Sequence, residues 1–137
     1  MSVDVHALVD DPALRAEVPA AEAAEAFLER IDRLQPELNA LFLVTPGLAR
    51  EGARLVDEAR SRGERLPLDG MPVVLKDNID VAGHRTSIGS RAFLDHVAAE
   101  DAEVTRRLRE AGAVILGKAA MHELAFGVTC RNETYGT

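Results

Sequence analysis

The sequence predicts an α/β fold. Two short aliphatic runs, Met71–Leu75 and Ala113–Gly117, flank a stretch of helical period, and two longer amphipathic helices precede them. Strand, crossover, helix, strand is the order of a parallel βαβ unit, here with a long loop in the crossover. The chain has 137 residues, 47% of them hydrophobic, which is enough for one domain with a sizeable core. Only 4% are aromatic and none is Trp, so that core must be aliphatic.

Val18-Pro19 opens the first of the two longer helices, with Pro19 at a first helical position. Ala23, Phe27, Ile31 and Leu34 recur at helical spacing, with Glu22, Glu25, Glu29 and Arg33 between them, and Gln35-Pro36 stops the run. Thr45 reads as the N-cap of the next helix, which turns Leu48, Leu55, Val56 and Ala59 inward and ends at Gly63. Met71–Leu75 is bounded by Asp69-Gly70 and by Lys76-Asp77-Asn78, the signature of a short buried strand. Ile79–Phe93 has no helical period and contains glycines and hydroxyls, so it reads as an ordered loop. Asp101 reads as the N-cap of a helix carrying Val104, Leu108 and Ala111 inward; Gly112 ends it and the second strand follows. A short helix over 121–126 and a polar loop complete the chain. Two strands buried on both faces do not complete a sheet. The expectation is therefore an unfinished sheet, and an isolated chain that is oligomeric or loosely packed and aggregation-prone.

Charge and composition narrow the function. Sixteen Lys and Arg against 23 Asp and Glu give a net charge of −7, which argues against nucleic acid as a partner. The longest apolar runs, Ala40–Val44 and Ala113–Leu116, are far short of the roughly 20 residues of a membrane span. The acidic start, MSVDVHALVDD, has no basic region leading into an apolar run, and Cys130 is the one cysteine; both fit a cytoplasmic address.

Several motifs carry less than they suggest. Gly112–Lys118 has the G-x-x-x-x-G-K spacing of a phosphate loop, but its middle is Ala-Val-Ile-Leu, a strand interior, and Ala119 stands where a Mg²⁺-binding hydroxyl would be needed. His122-Glu123 lacks the second histidine of a zinc helix, and His6, His84 and His96 are scattered, so no metal site is expected. Cys130 reads as a small, partly buried cysteine. Ser87 and Ser90 read as hydroxyls that satisfy backbone groups in their loop.

Lys76 stands at the carboxyl end of a strand, where open α/β sheets present functional groups, with Asp77 and Asn78 next to it. On local sequence alone it reads as a lysine reaching from the strand end into water. The stretches LDGMPVVLKDNIDVAGHRTSIGSRAF and EDAEVTRRLREAGAVILGKAAMHELAFGVTCRNETYG, however, resemble the first part of the amidase signature family. That resemblance implies a mixed central sheet wrapped by helices, divided here into a helical segment over 1–66 and the first βαβ part of the core over 67–137. It also implies amide hydrolysis by a Ser–cis-Ser–Lys triad through an acyl-serine intermediate, without metal or organic cofactor.

On this match Lys76 is the proton-accepting residue, supported by Asp77 and Asn78, and Gly127, Val128 and Thr129 border the substrate pocket. A lysine serves as base when burial makes its neutral amine available, and a serine nucleophile needs such a base. Lys118-Ala119-Ala120-Met121 replaces the family's common Lys-Thr-Asn-Met. His122–Val128 replaces the Asp-Glu-Phe-Ala-Met-Gly-Ser of transamidosome amidase subunits, which favours a small-molecule amide as substrate. None of Ser2, Ser61, Ser87 or Ser90 matches either catalytic serine. The expectation is a chain inactive alone that needs a C-terminal remainder or a companion chain. The alternative is a non-catalytic interaction module, or the remnant of a truncated amidase gene.

Overall fold

A computed structural model describes residues 4–137; Ser2 and the first residues of the acidic start lie outside it. Two short helices come first, α1 (Val5–Asp10) and α2 (Pro12–Glu17). Neither was expected, although each carries a local start signal. The Asp4 carboxylate accepts from the His6 and Ala7 amides, and Asp11 accepts from Ala13 and Leu14 with Pro12 at the first helical position. Arg15 of α2 is buried and donates to the Leu8 carbonyl at 2.6 Å, which fastens the pair together.

The first long helix, α3 (Ala20–Leu38), begins where expected but runs through Pro36 to a left-handed Asn39. Proline so close to the end forfeits a single backbone bond. The chain beyond is held by Gln35, whose side chain accepts from the Leu41 amide and donates to its carbonyl. The start of α3 is capped from elsewhere: the Asp57 carboxylate accepts from Ala20 N at 2.7 Å and Ala21 N at 3.0 Å. Leu41–Val44 forms a strand, β1, that sequence reasoning did not assign, and α4 (Pro46–Ser61) follows. Thr45 precedes α4, but its hydroxyl makes no capping bond. The buried stripe of α4 is Ala49, Ala53, Val56 and Ala59, whereas Leu55 is exposed.

The remaining elements are β2 (Pro72–Lys76), α5 (Glu103–Glu110) and β3 (Val114–Ala119). The sheet has the order β1-β3-β2, with β2 parallel to β3 and β1 antiparallel to it. It is therefore mixed, and its centre is β3. β3 is the strand buried on both faces; β2 is an edge strand with Val74 exposed, contrary to the expectation of two fully buried strands. Gly117 lies where β1 crosses closest, since a Cβ there would run into the Leu43 carbonyl.

Alternation along β3 divides the core. Val114 and Leu116 join Ala20, Ala24, Leu28, Ala49, Ala53 and Val56 of α3 and α4, while Ile115 joins Leu75 and Val81, with Leu108 of α5 at the margin. In α5 the buried residue is Thr105 rather than Val104; its hydroxyl donates to the Asp80 carbonyl at 2.6 Å. Asp101 lies one residue before the cap Ala102 and holds the loop instead, accepting from the Ala82 amide at 2.7 Å and pairing with Arg109.

Candidate active site

The carboxyl end of β2 and the neighbouring end of β3 meet two loops, 77–90 and 120–136. Sheet register places Lys76 beside Ala119 and Leu75 beside Lys118. Lys76 is exposed at its edge-strand position, and Asn78 is exposed as well. Asp77, between them, points the other way and is fully buried.

Asp77 is the hub of the site. Its Oδ2 accepts from the Ser87 hydroxyl at 2.5 Å, the Ser87 amide at 3.2 Å, the Gly89 amide at 3.4 Å and the Tyr135 hydroxyl at 3.4 Å. Its Oδ1 has no aligned hydrogen-bond donor and faces the Lys118 ammonium at 3.2 Å. Lys118 is itself fully buried, and donates to the Thr86 hydroxyl at 2.6 Å and the Arg85 carbonyl at 3.0 Å. Burial pushes the Lys118 ammonium below the ordinary lysine range, and the charge of Asp77 opposes that shift. The Tyr135 hydroxyl is driven well above the ordinary tyrosine range, first by burial and then by the negative charge of Asp77.

The second loop is locked onto this hub. Asn132, buried, donates from Nδ2 to the carbonyls of Gly89 and Met121 and accepts at Oδ1 from the amides of Thr134 and Tyr135. Gly89 has φ +70°, and a Cβ there would lie 2.8 Å from Asn132 Nδ2, so this junction requires glycine. The Tyr135 ring packs on Phe42 of β1 with centroids 4.2 Å apart. Ser90 donates to Glu123 at 2.7 Å. The helix expected over 121–126 is only a short 3-10 turn, Glu123–Ala125, because Leu124 and Ala125 adopt positive φ. Leu124 N instead donates to the Ile88 carbonyl.

The residues singled out in the sequence thus lie in different surroundings. Asp77 is buried, whereas Gly127, Val128 and Thr129 are exposed on the outer loop, with Val128 98% accessible. Ser87 bonds a carboxylate as well as the backbone. Cys130 is exposed rather than partly buried. Within the 112–118 segment Val114–Lys118 is strand, while the Gly112 and Ala113 amides close the end of α5 on Arg109 and Leu108, so no phosphate loop is formed. Among the described residues no three His, Cys, Asp or Glu side chains gather to hold a metal ion, and no helix is long and apolar enough to cross a membrane. Lys118, Asn132 and Tyr135 escaped sequence reasoning as site residues. The sequence sets them 41 to 58 positions from Asp77, and only the fold brings them together.

Comparison with known proteins places the chain. The Amidase family model matches residues 22–137. One subunit of the glutamyl-tRNA(Gln) amidotransferase of Moorella thermoacetica is 45% identical over 122 residues, covering 88% of this chain and 25% of the relative. Native peptide amidase from Stenotrophomonas maltophilia superposes with a TM-score of 0.82 at 34% identity, over 94% of this chain and 28% of that one. A chain of a vestigial protein complex, described as revealing the evolutionary origins of an s-triazine catabolic enzyme, superposes with a TM-score of 0.87 at 33% identity, over 98% of this chain and 30% of that one. The chain spans about a quarter of the length of the curated relatives it matches.

Proposed function

The chain belongs to the amidase family, and on that premise we propose that it forms the part of an amide-bond hydrolase that supplies the lysine base, Lys76. The reading is supported by one observation above the rest. Within the family match, Lys76 ends a parallel strand at the carboxyl edge of the sheet, and the next residue, Asp77, anchors both loops there. The reaction is nucleophilic. A serine supplied by a C-terminal remainder or a companion chain attacks the amide carbonyl, and its proton passes through the bridging serine to Lys76, which is exposed in this segment and is covered by that remainder in the complete site. The amine leaves with the proton returned from Lys76, and water, giving a proton to the same lysine, releases the acid from the acyl-serine and restores the serine hydroxyl. Backbone amides near the nucleophile stabilise the oxyanion. Gly127, Val128 and Thr129 border the acyl pocket, Asn78 supports the strand end, and the substrate is a small-molecule amide handled without a cofactor.

A second reading is favoured by the 45% identity to the amidotransferase polypeptide: the chain as part of a transamidosome amidase subunit. Complementation of a strain lacking that subunit separates the two, since a small-molecule amidase does not restore growth. The experiment for the main reading is hydrolysis of a panel of simple amides by the complete protein that carries this segment, alone and with any companion chain. Lys76→Ala is expected to lower turnover by about 10²–10⁴-fold. Unchanged turnover in that variant would remove Lys76 from the mechanism.

A further inference from the structure

The composition of the basic residues is uneven: of the 16 Lys and Arg, only two are lysines. Both stand at neighbouring strand ends, Lys76 beside Ala119 and Lys118 beside Leu75. One is exposed and the other fully buried. Nothing in the proposed chemistry uses Lys118. A buried ammonium is costly to keep unless it answers a charge, and the group it faces is the carboxylate of the residue that follows Lys76.

We propose that Lys118 is a positioning residue: by neutralising buried Asp77 it holds the turn after β2 and the 84–90 loop in place, and so fixes the strand end from which Lys76 works. This rests on the reading of Lys76 as the base. The donor arrangement supports it. Asp77 Oδ2 receives two hydroxyls and two amides, so this one oxygen holds both loops at the strand end. Oδ1 receives no aligned hydrogen bond, so the charge of Lys118 is what balances it. The same ammonium ties down Arg85 O and Thr86 Oγ1, so one group clamps both the turn and the loop. The other titratable groups nearby are Asp80, whose charge also reaches Lys118, and Tyr135 with Glu123 beyond it.

The test compares K118M with D77N/K118M in the complete protein, reading amide hydrogen exchange together with the pH profile of amide hydrolysis. In K118M the Ser87 and Gly89 amides are expected to exchange about tenfold faster or more, while those of α3 and α4 keep their protection. The unbalanced carboxylate on the residue after Lys76 should also move the acid limb of kcat/KM upward. D77N/K118M removes both charges and should return the acid limb to its wild-type position. Wild-type exchange at Ser87 and Gly89 in K118M, or an acid limb that does not move, overturns the proposal. If K118M does not fold, the double variant decides: folding with a wild-type acid limb supports charge balance, and failure to fold while D77N alone folds shows that Lys118 acts by packing instead. K76M separates this proposal from the functional reading. A fully active K76M with wild-type exchange at Ser87 removes the base assignment but leaves the exchange result for the Asp77–Lys118 pair standing.

Discussion

The layer between α3, α4 and β3 and the cluster at the strand ends are both largely shut off from water, with Tyr135 half-buried at the rim of the second, yet they are closed by different forces. The first is built of small aliphatic residues, Ala20, Ala24, Ala49, Ala53, Val56, Val114 and Leu116, whose attraction is non-directional and shared among many contacts. The second is built of Asp77, Thr86, Ser87, Lys118, Asn132 and Tyr135, where each polar atom depends on one or two partners at a set angle. An aliphatic layer loses stability in increments when trimmed. A polar cluster with a single counter-charge loses much of it at once.

That contrast is open to measurement. Lys118→Ala strands the Asp77 carboxylate and is expected to cost about 3–5 kcal/mol in chemical denaturation. A cost under about 1 kcal/mol would make the pair no different from a surface ion pair. Gly117→Ala probes the strand interior where the two regions join. Its methyl meets the Leu43 carbonyl and has Val44 Cα at 3.2 Å, so β1 must move away, at a cost of about 1–3 kcal/mol. Asp57→Ala tests the helical side. Loss of the cap on Ala20 and Ala21 should cost about 1 kcal/mol, and helical circular dichroism should fray at the start of α3 rather than melt throughout. Arg106→Ala removes an exposed network with Glu103 and Glu110 and should leave Tm within experimental scatter.

The same contrast explains what could be read from the sequence. Helical period exposed α3 and α4 because an apolar stripe repeats every turn, and the two aliphatic runs that became β2 and β3 stood out against polar flanks. β1 was harder to read, because the five apolar residues between Asn39 and Thr45 lack the glycine that precedes each of the other two runs. Thr105 displaced Val104 at the buried position of α5 because its hydroxyl finds the Asp80 carbonyl, a partner that lies in another loop. At the site, local order and family resemblance singled out Lys76 and Asp77, since they are adjacent to a strand end. Lys118 was passed over as part of a false phosphate loop, because its meaning lies in a contact 41 residues back along the chain. Periodicity reports local packing; it carries no information about which distant carboxylate a buried ammonium will answer.

Tyr135 gives the most direct measurement of whether the strand-end cluster is a closed, charged unit. It is the sole tyrosine of these 137 residues, which contain no Trp, so in the segment by itself tyrosinate absorbance in the near ultraviolet reports this one hydroxyl. Burial and the Asp77 charge raise its pKa in the folded chain above the ordinary value of about 10. The unfolded chain therefore loses this proton first as pH rises. The stability linked to the group is complete below about pH 10 and is lost as pH climbs from there toward the folded value. The expected result is a native chain whose tyrosinate signal stays absent through the interval in which the urea-unfolded chain ionises, with stability falling across the same interval. A native chain that ionises in step with the unfolded one would show that Tyr135 is neither shielded from water nor held beside Asp77.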